Sequence, residues 1–198
     1  RQMLEENVTP NQHTFGVALQ ACYGLSKHMA LEPMCLDMAR ALHTEIHRNG
    51  LGSNVFVATS LMNIYGRCGR IEEAENVFTG LPRHDIVSWN AMLCSYIEEG
   101  QGALALRLYK YMQEQGVSPD QKTAVMALQA CVLLAKEEEA LLIEGKSMKV
   151  MSMECFRAIH CDANRQAFAT NPFFGTTLLG MYGKNGMITE AEDVFYNL

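Results

Sequence analysis

Hydrophobic positions along the chain recur at helical spacing, in pairs of short segments. In Val55–Arg67 the apolar side chains fall at positions such as Val57, Leu61 and Tyr65, which lie on one face of a helix. The glycine-rich turn "GRCGR" follows, and apolar residues at the same spacing over 71–78 mark a second amphipathic helix. This stretch therefore predicts a helix, a turn and a second helix.

The same pairing continues along the chain. Helical spacing recurs over 86–97 and 103–112, and "QGVSPD" then supplies the Gly and the Pro that commonly follow a helix end. No stretch of useful length alternates apolar and polar residues with period two. The sequence therefore predicts an all-α fold built from consecutive helix–turn–helix pairs.

Two parts of the chain are near copies of each other. Val55–Leu81 and Pro172–Leu198 share 13 identities over 27 aligned positions, at an offset of 117, and "ALQAC" occurs at both 18–22 and 127–131, at an offset of 109. Repeated helix pairs bury their apolar faces only by stacking on their neighbours. The repeat therefore predicts a right-handed α-solenoid of stacked helix-turn-helix repeats, as a single array over residues 1–198.

The two offsets differ by eight residues, and the extra length falls between "ALQAC" and the shared "RALH" or "RAIH", that is within 23–39 and 132–156. Variable length between aligned flanks indicates loops. We expect the second insertion to be partly helical, because "KEEEALLIEGKSMKVM" contains good helix formers. The acidic run Lys136–Ala140 is expected to be a solvated helix start or loop.

Composition narrows the class of protein. With 48% apolar and 19% charged residues the chain is neither disordered nor fibrous, and no apolar run reaches the length of a membrane helix. Its net charge of −6 disfavours a partner held by bulk electrostatics alone. Seven cysteines without a CxxC pair indicate free thiols in a reducing compartment. The opening "RQMLEE" has no initiator Met, so we expect a piece of a longer protein whose targeting segment is out of view.

The segment "DIVSWNAMLCSYIEEGQGALALRLYKYMQEQGVSPD" resembles a pentatricopeptide repeat of the standard 35-residue form. "NVFVATSLMNIYGRCGRIEEAENVFTGLPRHD" resembles the short variant of 31 residues, and the two "ALQAC" units resemble the long variant. The order long, short, standard, long, short is that of the plant PLS subclass. The resemblance implies a repeat tail over 1–11, a long repeat with an insertion over 12–54, a short repeat over 55–85, a standard repeat over 86–120, a long repeat with a larger insertion over 121–171, and a truncated short repeat over 172–198.

The resemblance also implies that the array binds single-stranded RNA, with one base read by each repeat. The reading positions are one residue of the first helix and the last residue of the repeat. On this sequence the short repeat supplies Thr59 with Asp85, a pair that favours G in the family. The standard repeat supplies Asn90 with Asp120, which favours U. A carboxylate accepts from the N–H groups of guanine, and an Asn amide offers a donor and an acceptor to uracil.

Three further positions match those that sandwich bases in the family: Phe56, Val87 and Phe173. Thr176, in the last repeat, is expected to favour a purine. The long repeats offer the pairs Gly16 with Asn54 and Val125 with Asn171, which are poor base readers and are expected to act as spacers or packing units. The implied RNA preference is 5′-x-G-U-x-purine, with the chain parallel to the RNA.

Plainer readings of these residues stay open. Thr59 and Asn90 could be polar residues on a solvated helix face, and an Asp before a helix could be a cap. Phe56 and Phe173 could equally pack between repeats. His43 and His47 lie one helical turn apart, but Thr44 stands where a zincin needs Glu, so we expect structural histidines. We expect no metal, no cofactor and no enzyme activity in this segment.

The leading interpretation is a sequence-specific RNA-binding array in a plastid or mitochondrion. By resemblance to its subclass it would position transcripts for C-to-U editing or processing, together with editing factors. The alternative is a scaffold subunit of an organellar ribosome or another large assembly, with ribosomal proteins or RNA as partners. A solenoid that binds only peptides is a third, weaker interpretation.

Overall fold

The computed structural model describes residues 9–25, 32–138, 141–143, 146–148, 150–165, 172–184 and 186–196. Within these ranges the chain is almost entirely helical, so the prediction of an all-α fold is confirmed. The helices are α1 (Gln12–Leu25), α2 (Glu32–Arg48), α3 (Val55–Arg67), α4 (Ile71–Thr79), α5 (Ile86–Glu98), α6 (Gly102–Glu114), α7 (Gln121–Glu137), α8 (Val150–Arg165), α9 (Pro172–Lys184) and α10 (Ile188–Tyr196). They fall into two compact units, residues 1–99 and 100–198.

The helices of the first unit pack around α3. This helix contacts α1 and α2 on the side of the long repeat, α4 within its own pair, and α5 beyond. Val57, Leu61 and Tyr65, which the spacing predicts as one apolar face, are all buried. Further along, Phe78 of α4 packs edge-on against Trp89 of α5, with ring centroids 5.0 Å apart.

Short local signals fix the helix ends. Asn54, Asp85 and Asp120 are the N-caps of α3, α5 and α7, and each side chain accepts a hydrogen bond from a backbone N–H three residues later. At the turn after α3, Gly69 has a positive φ of 64°, which lets Arg70 N–H donate to the carbonyl of Tyr65 at 2.8 Å. The helices α1, α3, α5, α7 and α9 begin at residues 12, 55, 86, 121 and 172, where the five repeats are predicted to begin.

The second unit is built in the same way around α7. This helix packs on α6, α8 and α9, and α9 packs on α10. Phe156 of α8 and Phe174 of α9 are completely buried. Asp162 of α8 accepts hydrogen bonds from the hydroxyl of Tyr109 at 3.2 Å and from the amide of Gln113 at 2.9 Å, so a carboxylate fixes α6 against α8.

The second insertion is partly helical, as predicted, and it also contains a hairpin that the sequence did not indicate. Its ends are helical, because α7 continues to Glu137 and α8 begins at Val150, but its middle forms an antiparallel hairpin. Strand β1 (Leu141–Ile143) pairs with β2 (Lys146–Met148), and Leu141 lies opposite Met148. Helix formers alone did not decide the local structure, because propensity is a weak guide over so short a segment. The first insertion lies partly at 26–31, outside the described residues.

The acidic run at 136–140 also departs in part from the expectation of a solvated loop. The carboxylate of Glu138 accepts hydrogen bonds from the backbone N–H groups of Met151 at 2.7 Å and Ser152 at 3.0 Å. These donors lie in the first turn of α8 and have no partner inside the helix, so Glu138 satisfies them and closes the base of the insertion. Residues 139 and 140 lie outside the described part of the chain.

All seven cysteines are free thiols. No helix among the described residues is long and apolar enough to cross a membrane.

Candidate nucleic-acid interface

Thr59 and Asp85 line one cleft of the first unit. Thr59 projects from the first turns of α3, and Asp85 stands directly before α5, which packs on α3. The cleft has a volume of about 560 Å³. We call it the Thr59 cleft; its lining residues are Gln20, Asn54, Val55, Phe56, Thr59, Ser60, Asn63, Asp85 and Val87. The two reading positions that the sequence assigns to the short repeat therefore do meet in space.

Two apolar side chains, Phe56 of α3 and Val87 of α5, also line the cleft. They are 51% and 52% exposed, which leaves both available to a ligand. The ring of Phe56 covers Gly16 of α1: a β-carbon placed on Gly16 would lie 2.9 Å from Cζ of Phe56 and nearer still to Cε1. Phe56 therefore packs on the neighbouring repeat and also remains half exposed.

Asp85 is both a helix cap and a cleft residue. Its Oδ1 accepts from Ser88 N–H at 2.8 Å, and the Ser88 hydroxyl in turn accepts from Asp85 N–H at 3.1 Å. The capping interpretation is thus correct, but the cap engages only one carboxylate oxygen. Among the described residues Oδ2 has no hydrogen-bond partner. The cap fixes the carboxylate, and its second oxygen stays available to accept from a ligand.

The surroundings of the cleft add little charge. Asp85 is the one ionisable residue among its lining residues in the described part of the chain. Nearby, the ring of His84 stacks on Phe78 with centroids 4.1 Å apart. Burial lowers the pKa of His84, although the Asp85 carboxylate opposes this, so the imidazole is mostly neutral at pH 7. The cleft thus suits an uncharged, planar group better than a phosphate.

Thr59 has an unsatisfied hydroxyl. Its Oγ1 is inaccessible to solvent, and within the described ranges it has no hydrogen-bond partner. A buried polar atom left without a partner costs roughly 1–3 kcal/mol. Because this atom is buried as the side chain stands, a hydrogen bond from it to a bound base would require the Thr59 side chain to rotate.

Comparison with known proteins identifies the repeats. A model described as "PPR repeat family" matches residues 84–132, and one described as "PPR repeat" matches 56–86 and 176–198. The chain belongs to the pentatricopeptide repeat family.

Relatives in Arabidopsis thaliana agree with this assignment. A chloroplastic pentatricopeptide repeat-containing protein is 31% identical over 194 residues, 98% of this chain and 20% of that protein. A second pentatricopeptide repeat-containing protein is 30% identical over 190 residues, which are 96% of this chain and 27% of that protein. A third, also chloroplastic, is 29% identical over 194 residues, which are 98% of this chain and 32% of that protein. The chain thus spans about a fifth to a third of the length of these relatives. Proteins of this family are generally RNA-binding organellar factors without enzyme activity.

The second predicted pair of this pentatricopeptide array is placed differently. Asn90 is 5% exposed and lies in the packed part of α5, in the first unit. Asp120 is the N-cap of α7 in the second unit, where its Oδ1 accepts from Thr123 N–H at 2.7 Å. Base reading by Asn90 and Asp120 stays a prediction, and the burial of Asn90 means that it would require local rearrangement.

In the last repeat the proposed contact residues are on the surface. Phe173 of α9 is 59% exposed, and Thr176 is exposed while its hydroxyl donates to the carbonyl of Phe173 at 3.1 Å. Val125, at a reading position of the second long repeat, is half-buried on α7. Its partner Asn171 lies outside the described residues. These assignments stay predictions.

Four lining residues of the cleft were missed by reasoning from the sequence: Gln20, Val55, Ser60 and Asn63. Of these, Gln20 follows Gly16 by four residues on α1, and Asn63 follows Thr59 by four residues on α3. Residues four apart share a helix face, and this spacing was the signal that could have found them.

The histidine pair on α2 forms part of a hydrogen-bonded chain. His43 Nδ1 lies 3.0 Å from the hydroxyl of Tyr65, and His43 Nε2 lies 3.1 Å from His47 Nε2. Burial, and next the proximity of His47, lower the pKa of His43. No group of three or more potential metal ligands occurs among the described residues. The contacts hold α2 against α3 and thereby serve the packing of the array.

Proposed function

We propose that this chain is a sequence-specific single-stranded RNA-binding array of the PLS subclass that acts in organellar RNA metabolism and positions transcripts for C-to-U editing or processing. One observation carries the proposal: Thr59 and Asp85 line one cleft, together with the half-exposed Phe56 and Val87. A base seated between the two apolar side chains would present its edge to the polar pair. Stacking of this kind contributes about 1–3 kcal/mol per base where the side chain is aromatic.

The chemistry of the pair favours guanine. A carboxylate only accepts hydrogen bonds, so Asp85 suits the N1–H and N2–H donors of guanine and disfavours adenine, whose N1 is an acceptor. The Asp85 cap holds its carboxylate in place before the ligand arrives, which lowers the entropic cost of binding. The names of two of the relatives reported above include the chloroplast, which favours a plastid over a mitochondrion for the intact protein.

The test is fluorescence anisotropy with short single-stranded RNAs at low, stated salt. The chain should prefer an RNA with G followed by U over the same RNA with A followed by U, by roughly tenfold, because a hydrogen bond to a charged group contributes about 1.5–3 kcal/mol. Thr59→Asn should move the preference at the first position from G toward U, since Asn with Asp favours U in the family.

Thr79→Ala is the matched control, because Thr79 lies on α4 outside the cleft and donates its hydroxyl to the carbonyl of Glu75 at 2.9 Å. It should leave both affinity and base preference unchanged. Binding that ignores both the G-to-A change in the RNA and Thr59→Asn would contradict base reading by this repeat.

A scaffold role is the second candidate, and two observations favour it. Asn90 is buried, which removes one of the two complete reading pairs from direct access, and the net charge of −6 weakens general attraction to RNA. In that case the chain would bind none of the RNAs above with base preference and would be recovered within a larger assembly.

A further inference from the structure

The first long repeat offers nothing to a base at its own reading positions. Gly16 has no side chain, and the ring of Phe56 fills the space that a side chain there would occupy. Asn54 commits both ends of its amide: Oδ1 accepts from Val57 N–H at 3.2 Å, and Nδ2 donates to Gln12 Oε1 at 2.7 Å. The structure thus gives a physical reason why Gly16 and Asn54 would be poor readers.

The same repeat nevertheless contributes to the Thr59 cleft through a different residue. Gln20, one helical turn after Gly16, is an exposed residue of α1 and lines the cleft. Asn63, one turn after Thr59 on α3, is half-buried and lines it too. Neither amide forms a hydrogen bond with any other residue that the structure describes. The cleft therefore holds two uncommitted amides besides Thr59 and Asp85.

The lining of the cleft favours a base over a phosphate. No Lys or Arg lines the cleft in the described part of the chain, and Asp85 would repel a phosphate. Phosphate contacts in nucleic-acid complexes depend largely on such cations. With one carboxylate and an otherwise uncharged lining, this cleft has the character of a base pocket.

We propose that Gln20 and Asn63 are additional base-reading residues of the Thr59 cleft, so that one nucleotide is read by four polar side chains from two repeats. This rests on the proposed function. The division of labour follows from donor and acceptor chemistry: Asp85 accepts from the N–H edge of guanine, while amide N–H groups donate to its O6 and N7 acceptors. An ionised carboxylate has no hydrogen to donate to these acceptors, and the single hydroxyl of Thr59 can donate to only one of them.

The experiment measures affinity of the whole chain for the G-containing RNA by anisotropy, with Gln20→Ala and Asn63→Ala compared with Thr79→Ala, a substitution outside the cleft. Each amide variant should weaken binding by about threefold to tenfold, the range expected for one neutral hydrogen bond, and Thr79→Ala should not. Asn63→Gln and Gln20→Asn, which keep the amide, should recover part of the loss.

Modified RNAs separate reading from a structural effect. 6-Thioguanine in place of G exchanges O6 for a weaker sulfur acceptor and keeps N1–H, and 7-deazaguanine removes the N7 acceptor. If the amides read the base, at least one amide substitution should lose part of its effect on one of these modified RNAs. Amide variants that match Thr79→Ala, or that weaken every RNA equally, overturn this inference while the Thr59→Asn preference shift still supports the proposed function. If the unsubstituted chain shows no G preference at all, the proposed function itself fails.

Discussion

The long–short pair of the first unit and that of the second hold together through the same two contacts. In each, the second helix of the long repeat gives a His to a Tyr and an Arg to a Glu of the short repeat. The distances are 3.0 Å for His43–Tyr65, 3.0 Å for His160–Tyr182, 2.9 Å for Arg40–Glu73 and 3.0 Å for Arg157–Glu190. All four residues recur at an offset of 117. The variable insertions precede these contact residues in the sequence and differ in length by eight residues. The contacts are nevertheless the same in both units.

The two long–short pairs differ in what lies next to one glycine that both contain. Gly66 of α3 lies against α5: a β-carbon there would be 2.9 Å from Cα of Ser95 and nearer still to its side chain. Gly183, its counterpart on α9, has no atom of the described residues within 4 Å of that position. The contact that requires Gly at position 66 therefore comes from α5, the first helix of the following repeat, and not from the short repeat itself.

Substitution of these two glycines by Ala is expected to give the largest difference in stability between the two units. Gly66→Ala should destabilise the first unit by about 2 kcal/mol, because the added methyl group meets backbone that cannot move aside. Gly183→Ala should be neutral or stabilise α9 by up to about 1 kcal/mol, since Ala favours a helix. Trp89 is the only tryptophan and is buried in the first unit, so its fluorescence during urea unfolding reports that unit.

For Gly183→Ala, hydrogen exchange of the α9 peptide is the suitable readout, with Gly180→Ala as control. Gly180 also has open space around it among the described residues and lies on the same helix. Equal losses of stability from Gly66→Ala and Gly183→Ala would show that the two copies have the same environment in solution.

A smaller effect is expected from the shared His–Tyr hydrogen bonds. Tyr65→Phe and Tyr182→Phe should each cost about 1 kcal/mol, because each leaves a half-buried imidazole nitrogen without its partner. Burial raises the pKa of both tyrosines to about 12, so the hydroxyls remain protonated at physiological pH. Urea unfolding monitored by circular dichroism measures the losses, and the two should be additive because the sites lie in separate units. Tyr196→Phe, at an exposed position of α10, is the control. Losses no larger than that of the control would contradict the prediction.

The same histidines predict a dependence of stability on pH. Burial lowers the pKa of His43, of His84 and of His160 below the ordinary value of 6.5, so the folded chain binds fewer protons than the unfolded chain just below that pH. The stabilising contribution is fully present above pH 6.5 and is lost as the pH falls through 6.5 toward the folded pKa values. The urea concentration at the midpoint of unfolding should therefore be lower at pH 5.5 than at pH 7.5, and His43→Gln should reduce this difference. A midpoint that rises with acid would contradict this.

The sequence was sufficient for the features that depend on local pattern. Helix pairing followed from spacing such as that of Val57, Leu61 and Tyr65, and the caps at Asp85 and Asp120 followed from an Asp before an apolar run. The meeting of Thr59 with Asp85 followed from the resemblance to known repeats. These features repeat from one unit to the next, so a short motif specifies them.

Features that depend on neighbours along the array could not be predicted in the same way. The burial of Asn90, the packing of Phe56 on Gly16 and the arrival of Gln20 in the Thr59 cleft all depend on which helix lies next to which, and at what distance. The hairpin formed by Leu141–Ile143 and Lys146–Met148 could not be predicted from the sequence, because each strand has only three residues, too few to show an alternating pattern.

The smallest expected difference in stability between the two units concerns their Arg–Glu ion pairs. Glu73 accepts from Arg40 and also from Arg70 at 2.9 Å, whereas Glu190 contacts Arg157, and Met187 stands where Arg70 would be. Burial opposes ionisation of Glu73, but hydrogen bonds from the two arginines outweigh it and hold the pKa of Glu73 below its ordinary value. Its stabilising contribution is thus present above about pH 4.5 and is lost as the pH falls below it.

Glu73→Gln should therefore cost about 0.5–1 kcal/mol and Glu190→Gln less than about 0.5 kcal/mol, because partly exposed pairs contribute little and a second partner adds to the first. Urea unfolding at 50 mM and 500 mM salt measures both losses, and the Glu73 loss should shrink with salt as the charges are screened. Arg70→Met provides the converse test, since it removes the second arginine from Glu73 and should bring the cost of Glu73→Gln down to that of Glu190→Gln. If it does not, the extra stability at Glu73 comes from the packing around it and not from the number of its partners.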